Sequence, residues 1–395
     1  MIRCTTAHVH LDAVGHNLRA LRATLAADTI LNRAAGAGPT TPPDIIAVVK
    51  ANAYGHGAVA VARTLEDAGA DMLAVADIEE GIELRESGIR MPILVFGALS
   101  VSDVGGLFTH GLTPTISSPG AGRALERAAR DRGTPLRYHL KVDTGLHRLG
   151  FRHDNLRWTL PALLASPVLQ LEAVYTHFAS ADDPDAASVE AQRLAFDAAC
   201  IALADCDARP VRRHAANSAA LLRDSRLWLD AVRPGLLLYG MAPGALHTTM
   251  DLRPAMTLTS RVVAVKGVRD GEAVGYGGRF VASRPTTLAV VPAGYADGLD
   301  RRLEGRGAVL IRGQRAPIVG AVSMDMMTVD VTDIPEVFPG DEVVLLGAQG
   351  DAPWQRIDAR EMAAAIGTIP YEIVCRLGSR IARLTGTAGD DETIG

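Results

Sequence analysis

The first lysine of the chain has the setting of a reactive amine. Lysine accounts for three of the 40 Lys+Arg residues, and Lys50 is the first of them. It directly follows the apolar run 45–49 and precedes a glycine-containing stretch, 51–57. An amine that is partly removed from water has a lowered pKa and is available as a nucleophile. A lysine that only reaches water from a strand end has no such role. Lys50 alone leaves both interpretations open. Because lysine is rare in this chain, the two interpretations carry nearly equal weight.

Polar residues and a glycine stand at the ends of several other apolar runs. They are Lys141 with Arg148, His177, Asn217 with Ser218, and Arg233 with Gly235, which Leu236 follows. Taken singly, His177 has an ordinary interpretation as a hydrogen-bonded core residue, and Asn217-Ser218 as a helix cap. The repetition of the pattern is what indicates a site.

Short apolar runs alternate with helical patterns through the first part of the chain. The runs are 45–49, 72–76, 92–96, 112–116, 137–142, 171–176, 211–215 and 229–233. Helical patterns cover 18–27, 58–69, 78–87, 121–131 and 189–204. Buried strands that alternate with helices over about 200 residues predict an α/β protein with a (β/α)8 TIM barrel. The carboxyl ends of barrel strands form one rim, so the polar residues are expected to meet Lys50 there.

From about residue 245 the pattern changes to short strands joined by tight turns. Strands are predicted at 258–268, 286–292, 308–312, 316–322, 327–331 and 342–346, with turn dipeptides at 270–271, 312–313 and 339–340. One short helix is expected at 358–367, and a polar, mobile tail after residue 385. We therefore predict a barrel over 1–244 and a mostly-β domain over 245–395.

Composition excludes several classes of protein. Forty Lys+Arg against 45 Asp+Glu give a net charge of −5, so no nucleic-acid partner is expected. Residues 1–10 contain no apolar core of a signal peptide, so none is expected. The sequence has no run of about 18 apolar residues, so no membrane association is expected either. The spacing of the four cysteines suits neither a disulfide framework nor a zinc site. We expect a cytoplasmic protein without a metal.

A lysine amine and a phosphate-binding rim together point to one cofactor. Asn217, Ser218 and the backbone N–H of Gly235 suit a phosphate dianion, and TIM barrels bind phosphate beside strands seven and eight. An amine on the same rim is what pyridoxal 5′-phosphate needs for covalent attachment.

The motifs place the sequence beside a known family. It resembles the alanine racemases, the fold-type III pyridoxal-phosphate enzymes, over nearly its whole length. The matching stretches are 10–22, 47–57, 141–150, 175–178, 215–219, 232–240, 274–280, 294–298, 320–325 and 368–372. The lysine stretch with Tyr54 and the sequence Gly275-Tyr276-Gly277 are specific to that family. The resemblance implies interconversion of L- and D-alanine.

The resemblance also implies a role for each matching residue. Lys50 would hold the cofactor and act as one proton-transfer base, and Tyr276 of the partner subunit of a homodimer would be the other. Arg148 would bind the phenolic oxygen of the cofactor and the carboxylate of a small amino-acid substrate. The same carboxylate would meet the backbone amide of Met324 of the partner subunit. The remaining implied positions are Tyr54, Ser218, Gly235, Leu236 and Tyr371 at the phosphate, His177 and Asn217 beside the ring, Arg233 at the pyridine nitrogen, Tyr295 and Arg301 at the entrance, and Lys141 as a carbamylation site.

Two bases suit that reaction. Racemisation removes the α-proton from one face and returns a proton to the other, so bases on opposite faces solve it directly. The ordinary pKa of a tyrosine is about 10, so Tyr276 needs cationic or hydrogen-bonding neighbours that lower its pKa towards neutrality. An arginine at the pyridine nitrogen, in place of a carboxylate, leaves that nitrogen unprotonated and limits side reactions.

Two features depart from the family pattern. Ala321 stands where an arginine of the entrance is usual, which puts substrate access in question. Residues 32–43 look like an insertion that forms a flexible loop.

Other functions remain open. A racemase of another small amino acid, such as serine, would share these motifs, because pocket contacts set specificity. A decarboxylase of the same fold would carry an acidic residue in place of Arg233. A single-barrel cofactor carrier would have no place for the Tyr276 and Met324 stretches.

Overall fold

A computed structural model describes residues 4–34, 41–97, 104–183, 186–206, 212–244, 246–351, 354–385 and 392–394. Contacts within the chain define two compact units. The barrel unit comprises Val14–Ala53 and Ala58–Arg253, and the β-rich unit comprises Met1–Ala13, Tyr54–Gly57 and Pro254–Gly395.

The barrel unit contains a closed ring of eight parallel strands. In chain order they are Asp44–Val48, Met72–Val75, Ile93–Val95, Thr113–Ile116, Leu136–Asp143, Leu169–Tyr175, Arg212–Asn217 and Ala231–Arg233, here called barrel strands one to eight. Strand eight pairs with strand one, with Ala231 opposite Asp44, and this pairing closes the ring. Each strand overlaps one predicted run, so the predicted (β/α)8 barrel is confirmed; Val211, the first residue of the seventh run, lies outside the described residues.

Helices follow most of the barrel strands. They are Leu11–Ala34 ahead of strand one, then Ala58–Asp67, Ile78–Glu86, Gly105–Thr109, Pro119–Arg132, Leu156–Thr159, Pro161–Leu164, Ala186–Ala204 and Ser218–Arg223. Every residue of strands two and three is buried. Burial on both faces explains why these strands read as continuous apolar runs. The five predicted helical segments are all present.

The β-rich unit is built on one large, mostly antiparallel sheet. Its strand order is Ala264–Val268, Thr286–Val291, Met327–Asp330, Gln314–Val319, Ala308–Ile311, Glu342–Gln349, Met256–Arg261, Thr6–Val9, Ala382–Thr385 and Glu392–Ile394, and Gln355–Ile357 pairs with Glu342–Gln349. A separate two-stranded ribbon joins Ala273–Val274 to Phe280–Val281. The helices of this unit are Ala359–Ile366, as predicted at 358–367, and Pro370–Cys375.

One predicted turn shows how the sequence defines this sheet. Arg312 and Gly313 connect strands Ala308–Ile311 and Gln314–Val319 and have φ values of 52° and 72°. Two consecutive residues with positive φ give the turn that best matches the twist of a two-residue hairpin. The turn therefore sets the register in which Ile311 lies opposite Gln314.

Three expectations differ from the structure. The predicted strand 258–268 is two strands, since the antiparallel pairing changes partner after Arg261. Residues 32–34 of the predicted loop 32–43 continue the first helix, while residues 35–40 lie outside the described part of the chain. Within the predicted mobile tail, Glu392–Ile394 pairs as a strand with Ala382–Thr385, and residues 386–391 and 395 are not among those described.

The N-terminal strand is the clearest difference from a single boundary at residue 244. Thr6–Val9 pairs antiparallel with Met256–Arg261 and parallel with Ala382–Thr385. These bonds put Thr6–Val9 into the β-rich unit, whereas this segment was predicted to belong to the barrel.

Among the described helices, none is long and apolar enough to cross a membrane.

Candidate active site

Lys50 stands at the carboxyl end of barrel strand one, where the chain enters an unusual turn. The four residues from Ala51 to Tyr54 have φ values between 51° and 54°, the left-handed region. Each such residue costs roughly 1–2 kcal/mol when it is not glycine, and backbone strain of this kind clusters at functional sites. The Ala53 N–H donates to the Val49 carbonyl at 2.8 Å, and the Asn52 side-chain oxygen accepts from the Ala58 N–H at 2.6 Å.

Glu80, in the first turn of the helix Ile78–Glu86, fixes the start of this turn. One carboxylate oxygen accepts from the Ala51 N–H and the other from the Ala76 N–H, both at 2.7 Å. Burial raises the pKa of Glu80, against the lowering effect of these two hydrogen bonds. The sequence did not single out Glu80, because acidic residues are common in the first turn of a helix.

Five basic residues of the barrel unit share one electrostatic environment, as the sequence predicted for the rim. They are Lys50, Lys141, Arg148, His177 and Arg233. Burial lowers the pKa of Lys141 to about 8, with further lowering by Arg148 and Arg233. Burial also lowers the pKa of His177 well below its usual value, reinforced by the surrounding cations. His177 is therefore neutral near pH 7 and can offer a hydrogen bond, but not a positive charge.

Tyr175 of barrel strand six packs against two of these cations. The Lys141 amine lies 5.5 Å and the Arg233 guanidinium carbon 5.2 Å from the centre of its ring. The ring also stacks on His214, with centroids 4.7 Å apart and planes 7° from parallel. Aromatic faces attract cations at these separations, so Tyr175 helps to hold Lys141 and Arg233 in place.

Arg233 begins a buried chain of hydrogen bonds. It donates to the Thr176 carbonyl at 2.7 Å and to His214 Nδ1 at 2.8 Å. Arginine only donates, so His214 carries its proton on Nε2, which lies 3.0 Å from His139 Nδ1. His139 is then protonated on Nε2, which faces Glu172 Oε2 at 3.9 Å. The pKa of Arg233 is lowered to about 10 by burial, so it stays charged near neutral pH.

Neither His139 nor His214 was found from the sequence. A usable signal existed, because side chains two apart in a strand share a face. His139 is two residues before Lys141 in barrel strand five and therefore points to the same side.

The predicted phosphate residues of the barrel unit lie together. The Gly235 N–H donates to the Ser218 hydroxyl at 2.8 Å, and both residues are buried. Leu236 begins the short 3-10 turn Leu236–Tyr239. Asn217 is the N-cap of the helix Ser218–Arg223, with its side-chain oxygen accepting from the Ala220 N–H at 2.9 Å. The cap interpretation of Asn217 is thus confirmed, and its side-chain oxygen is engaged within the protein.

Arg148 lies exposed on the loop that follows barrel strand five. Asp143 shapes that loop, because its Oδ1 accepts from the N–H groups of Gly145 and His147, both at 3.0 Å. At Gly150, where φ is 127°, a Cβ atom would meet the Asp143 nitrogen at 2.7 Å. The loop therefore returns against strand five and presents Arg148 beside Lys141.

The β-rich unit brings two predicted tyrosines together. The rings of Tyr54 and Tyr371 have centroids 5.8 Å apart and are tilted by 40°. Burial raises the pKa of Tyr54, and Tyr371 adds to the shift. Both hydroxyls are suited to donate to an anion.

Tyr276 is highly exposed, at 76%, on the turn of the short ribbon in the β-rich unit. The preceding Gly275 has a φ of 75°, and a Cβ atom there would lie 3.1 Å from the Ala321 nitrogen. The ribbon thus packs on the segment that carries Ala321, and the Ala321 side chain is buried. An exposed tyrosine is available to another molecule.

Met324 and Tyr295 lie on two loops of the β-rich unit that pack together. The Tyr295 N–H donates to the Ser323 carbonyl at 3.0 Å and the Ala296 N–H to the Met324 carbonyl at 3.1 Å. Gly294 allows this approach, since a Cβ atom there would lie 2.4 Å from the Met324 oxygen. Both side chains are exposed, at 43% for Tyr295 and 52% for Met324.

Arg301 follows directly after Asp300, which anchors this part of the loop. Asp300 accepts from Arg302 and from Arg376, and these bonds hold the pKa of its carboxyl well below its usual range. Arg301 itself is exposed. The described residues contain no cluster of three or more side chains suited to hold a metal ion.

The fold and the site define a two-unit enzyme with a lysine at the barrel rim, and comparison with known proteins gives its family. The sequence profile of the alanine racemase N-terminal domain matches residues 9–243, and that of the C-terminal domain matches residues 255–385. The chain belongs to the alanine racemase family, and the family identifies it as an amino-acid racemase, an isomerase.

Individual relatives agree with this assignment. The alanine racemase of Syntrophobacter fumaroxidans is 44% identical over 85% of this chain and 88% of its own length. The alanine racemase of Sorangium cellulosum is 43% identical over 97% and 99%, respectively. The chain therefore spans nearly the whole of such relatives.

Solved structures share the fold. Alanine racemase from D-cycloserine-producing Streptomyces lavendulae superposes with a TM-score of 0.89 at 36% identity, covering 98% of both chains. The Bacillus anthracis enzyme with bound L-Ala-P gives 0.88 at 34% identity, covering 100% of this chain and 98% of that one. The Bartonella henselae enzyme with covalently bound pyridoxal phosphate gives 0.83 at 28%, covering 97% and 99%.

Proposed function

We propose that this protein is a pyridoxal 5′-phosphate-dependent alanine racemase that interconverts L- and D-alanine. The observation that carries the proposal is the group of basic residues around Lys50, with the buried guanidinium of Arg233 among them. The names of the relatives and the L-Ala-P bound to the B. anthracis enzyme support the substrate, and the pyridoxal phosphate of the B. henselae enzyme supports the cofactor.

The residues of the chain fit this cofactor. A phosphorylated pyridine aldehyde needs an amine for attachment, cations for its negative charge and hydrogen-bond donors for its phosphate. Lys50 supplies an amine at a strand end, and the rim is rich in positive charge. Ser218 and Gly235 lie together beside strands seven and eight, and Tyr54 and Tyr371 lie together in the β-rich unit. We propose that these residues and Leu236 hold the phosphate, and that Asn217 lies beside the cofactor.

When bound, the cofactor withdraws electrons from the substrate α-carbon and so makes its proton acidic. Lys50 takes or returns that proton on one face. Arg148 binds the substrate carboxylate and a cofactor oxygen, and His177, being neutral, offers a hydrogen bond without added charge. Arg233 would face the pyridine nitrogen, and its hydrogen bonds to His214 and the Thr176 carbonyl keep the guanidinium in place.

We propose that a second subunit supplies the base for the other face. Tyr276 is exposed on a short ribbon, which suits a residue that acts in another chain. Met324 of the partner subunit would offer its backbone amide to the substrate carboxylate, and Tyr295 and Arg301 would line the entrance. In this proposal the domain predicted over 1–244, apart from its first strand Thr6–Val9, binds the cofactor, and the C-terminal domain, 245–395, serves the neighbouring site of a homodimer.

Lys141 is proposed as a carbamylation site. With a pKa of about 8, a useful fraction of its amine is uncharged near neutral pH. The amine nitrogen can then bond to the carbon of CO2 and lose a proton, which replaces a positive charge by a negative one. That reversal would turn repulsion from Arg148 and Arg233 into attraction. We also propose that the enzyme works in the reducing cytoplasm; in the structure none of Cys4, Cys200, Cys206 and Cys375 is in a disulfide.

The direct test is formation of D-alanine from L-alanine by the purified protein with pyridoxal 5′-phosphate. We expect Lys50→Arg to abolish this activity and borohydride fixation of the cofactor, because a guanidinium neither attaches the aldehyde nor acts as a free base. The exposed Lys266→Arg is the matched control and should change neither. Full activity of Lys50→Arg, or racemisation of serine but not alanine, would contradict the proposal.

A further inference from the structure

Arg383 is a buried guanidinium that donates to main-chain carbonyls. It is 8% exposed and lies on strand Ala382–Thr385, beside Ala7. It donates through Nε to the Gly55 carbonyl at 3.1 Å, and through Nη2 to that of Leu377 at 2.7 Å. Its Nη1 donates to the carbonyls of Gly378 and Ile381 at 2.8 and 2.9 Å.

These four acceptors belong to two separate segments. Gly55 directly follows Tyr54, and residues 377–381 follow the helix Pro370–Cys375, which carries Tyr371. The two segments are also in close contact, because a Cβ atom at Gly55 would lie 2.2 Å from the Val374 carbonyl oxygen. Arg383 therefore joins the two backbones whose tyrosine rings lie 5.8 Å apart.

We infer that Arg383 is a positioning residue for the phosphate end of the cofactor site, an inference that rests on the proposed function. It fixes the Tyr54 and Tyr371 segments relative to each other, so that both hydroxyls can meet one phosphate group. Arginine suits this task because its planar fork has five N–H donors in fixed directions. A lysine has a compact, strongly hydrated charge and cannot reach all four carbonyls at once.

The competing explanation is that Arg383 only stabilises the fold. The two explanations differ in how they treat a ligand without phosphate. A positioning role predicts weaker binding of pyridoxal 5′-phosphate but not of pyridoxal, whereas a general loss of structure weakens both equally. Cofactor-free protein titrated with each aldehyde, followed by absorbance, gives the two Kd values.

We expect Arg383→Lys to raise the Kd of pyridoxal 5′-phosphate about tenfold, the effect of losing one well-placed hydrogen bond to a charged group. The Kd of pyridoxal should change by less than about twofold on the same scale. Arg85→Lys is the matched control, because Arg85 of the barrel unit also donates to carbonyls, those of His110, Ile89 and Met91. It should lower the melting temperature without changing the ratio of the two Kd values.

A double-mutant cycle completes the test. In a protein with Tyr54→Phe and Tyr371→Phe, the change Arg383→Lys should have little further effect on the Kd of pyridoxal 5′-phosphate, since the groups that it positions are gone. Equal weakening for both aldehydes, or an undiminished effect in the double-Phe protein, would overturn the inference. So would failure of both Arg383→Lys and Arg383→Gln to fold, because the residue would then belong to the fold. Wild-type protein that binds neither aldehyde would instead reject the proposed function.

Discussion

Three histidines in the barrel unit are held neutral, and their position has consequences for stability. Burial lowers the pKa of His139 to about 3, with Arg233 adding to the shift, and lowers the pKa values of His177 and His214 well below the usual range. A charged imidazole at these positions would repel Arg233, the cation that this part of the barrel is built to hold. The folded state therefore excludes protons from these residues, and the unfolded state does not.

This difference predicts acid sensitivity. Between pH 6.5 and about 3, unfolded His139 binds a proton and folded His139 does not, so the free energy of unfolding falls as the pH falls through this window. One such group contributes up to about 1.4 kcal/mol per pH unit. His139→Asn keeps a hydrogen-bond acceptor for His214 and should flatten the pH dependence in urea unfolding. The exposed His247→Asn should leave it unchanged, and an equal slope in wild type and His139→Asn would disprove the assignment.

The two proposed bases should be specific for one enantiomer each. A base on one face of the substrate plane reaches only the hydrogen that points to that face. In the proposed mechanism, which follows the family resemblance, Lys50 would serve D-alanine and Tyr276 would serve L-alanine. Tyr276→Phe should therefore slow loss of α-deuterium from L-alanine about 10²–10⁴-fold more than from D-alanine in single-turnover experiments. Equal slowing for both enantiomers would mean that one base, or water, serves both faces.

Single residues could be proposed from the sequence where their chemistry was unusual for their place in the chain. Lys50 stood out because lysine is rare here, and Arg148 and Tyr276 because of family motifs. Arg383 did not, because the carbonyl of Gly55 that it contacts is far away in sequence, and His139 was missed although it shares a strand face with Lys141. Their roles depend on contacts between Arg383 and Gly55 and between His139 and His214 that only the folded chain makes.

At the scale of elements, the barrel strands were the easiest to predict and the turn after strand one the hardest. Parallel strands buried on both faces give apolar runs that stand out from the helices between them. The ribbon strands Ala273–Val274 and Phe280–Val281 are too short to show any period. No propensity favours four non-glycine residues in the left-handed region, so the turn from Ala51 to Tyr54 could not be expected.

Gly55, which directly follows that turn, should be highly sensitive to substitution. Its φ is 81°, and a Cβ atom would lie 2.2 Å from the Val374 carbonyl oxygen, which belongs to the backbone. Gly69 has a similar φ of 85° with nothing within 4 Å of an added Cβ, so it is a matched control. Gly69→Ala should cost only the left-handed strain, about 1–2 kcal/mol.

Gly55→Ala should cost clearly more in urea unfolding, and it should also weaken binding of pyridoxal 5′-phosphate, because the Tyr54 segment must move away from Val374. Gly69→Ala should leave cofactor binding unchanged. Similar losses of stability in the two variants would show that the close contact with Val374 contributes nothing beyond backbone conformation.

For the whole molecule, we propose a site that two subunits share. The barrel unit carries Lys50, Arg148 and Arg233, whereas Tyr276 and Met324 are exposed on the β-rich unit. The strand Thr6–Val9 joins the beginning of the chain to that same unit. This pairing could not be read from the sequence, since its partners lie about 250 and 375 residues away and sequence patterns report local structure.

A shared site makes a quantitative prediction for mixed dimers. Lys50→Ala and Tyr276→Phe should each be inactive as homodimers. In a heterodimer, one site combines both defects and the other combines the intact Lys50 of one chain with the intact Tyr276 of its neighbour. Random exchange puts half of the molecules into heterodimers with one working site of two, so activity should recover to roughly a quarter of the wild-type value.

Subunit exchange can be verified by mass tags on the two chains. Mixing either variant with itself under the same conditions is the control and should restore nothing. Proven exchange without recovery would place both bases of a site on one chain. In that case each chain of the heterodimer lacks one of the two bases that its own site needs, so neither site works.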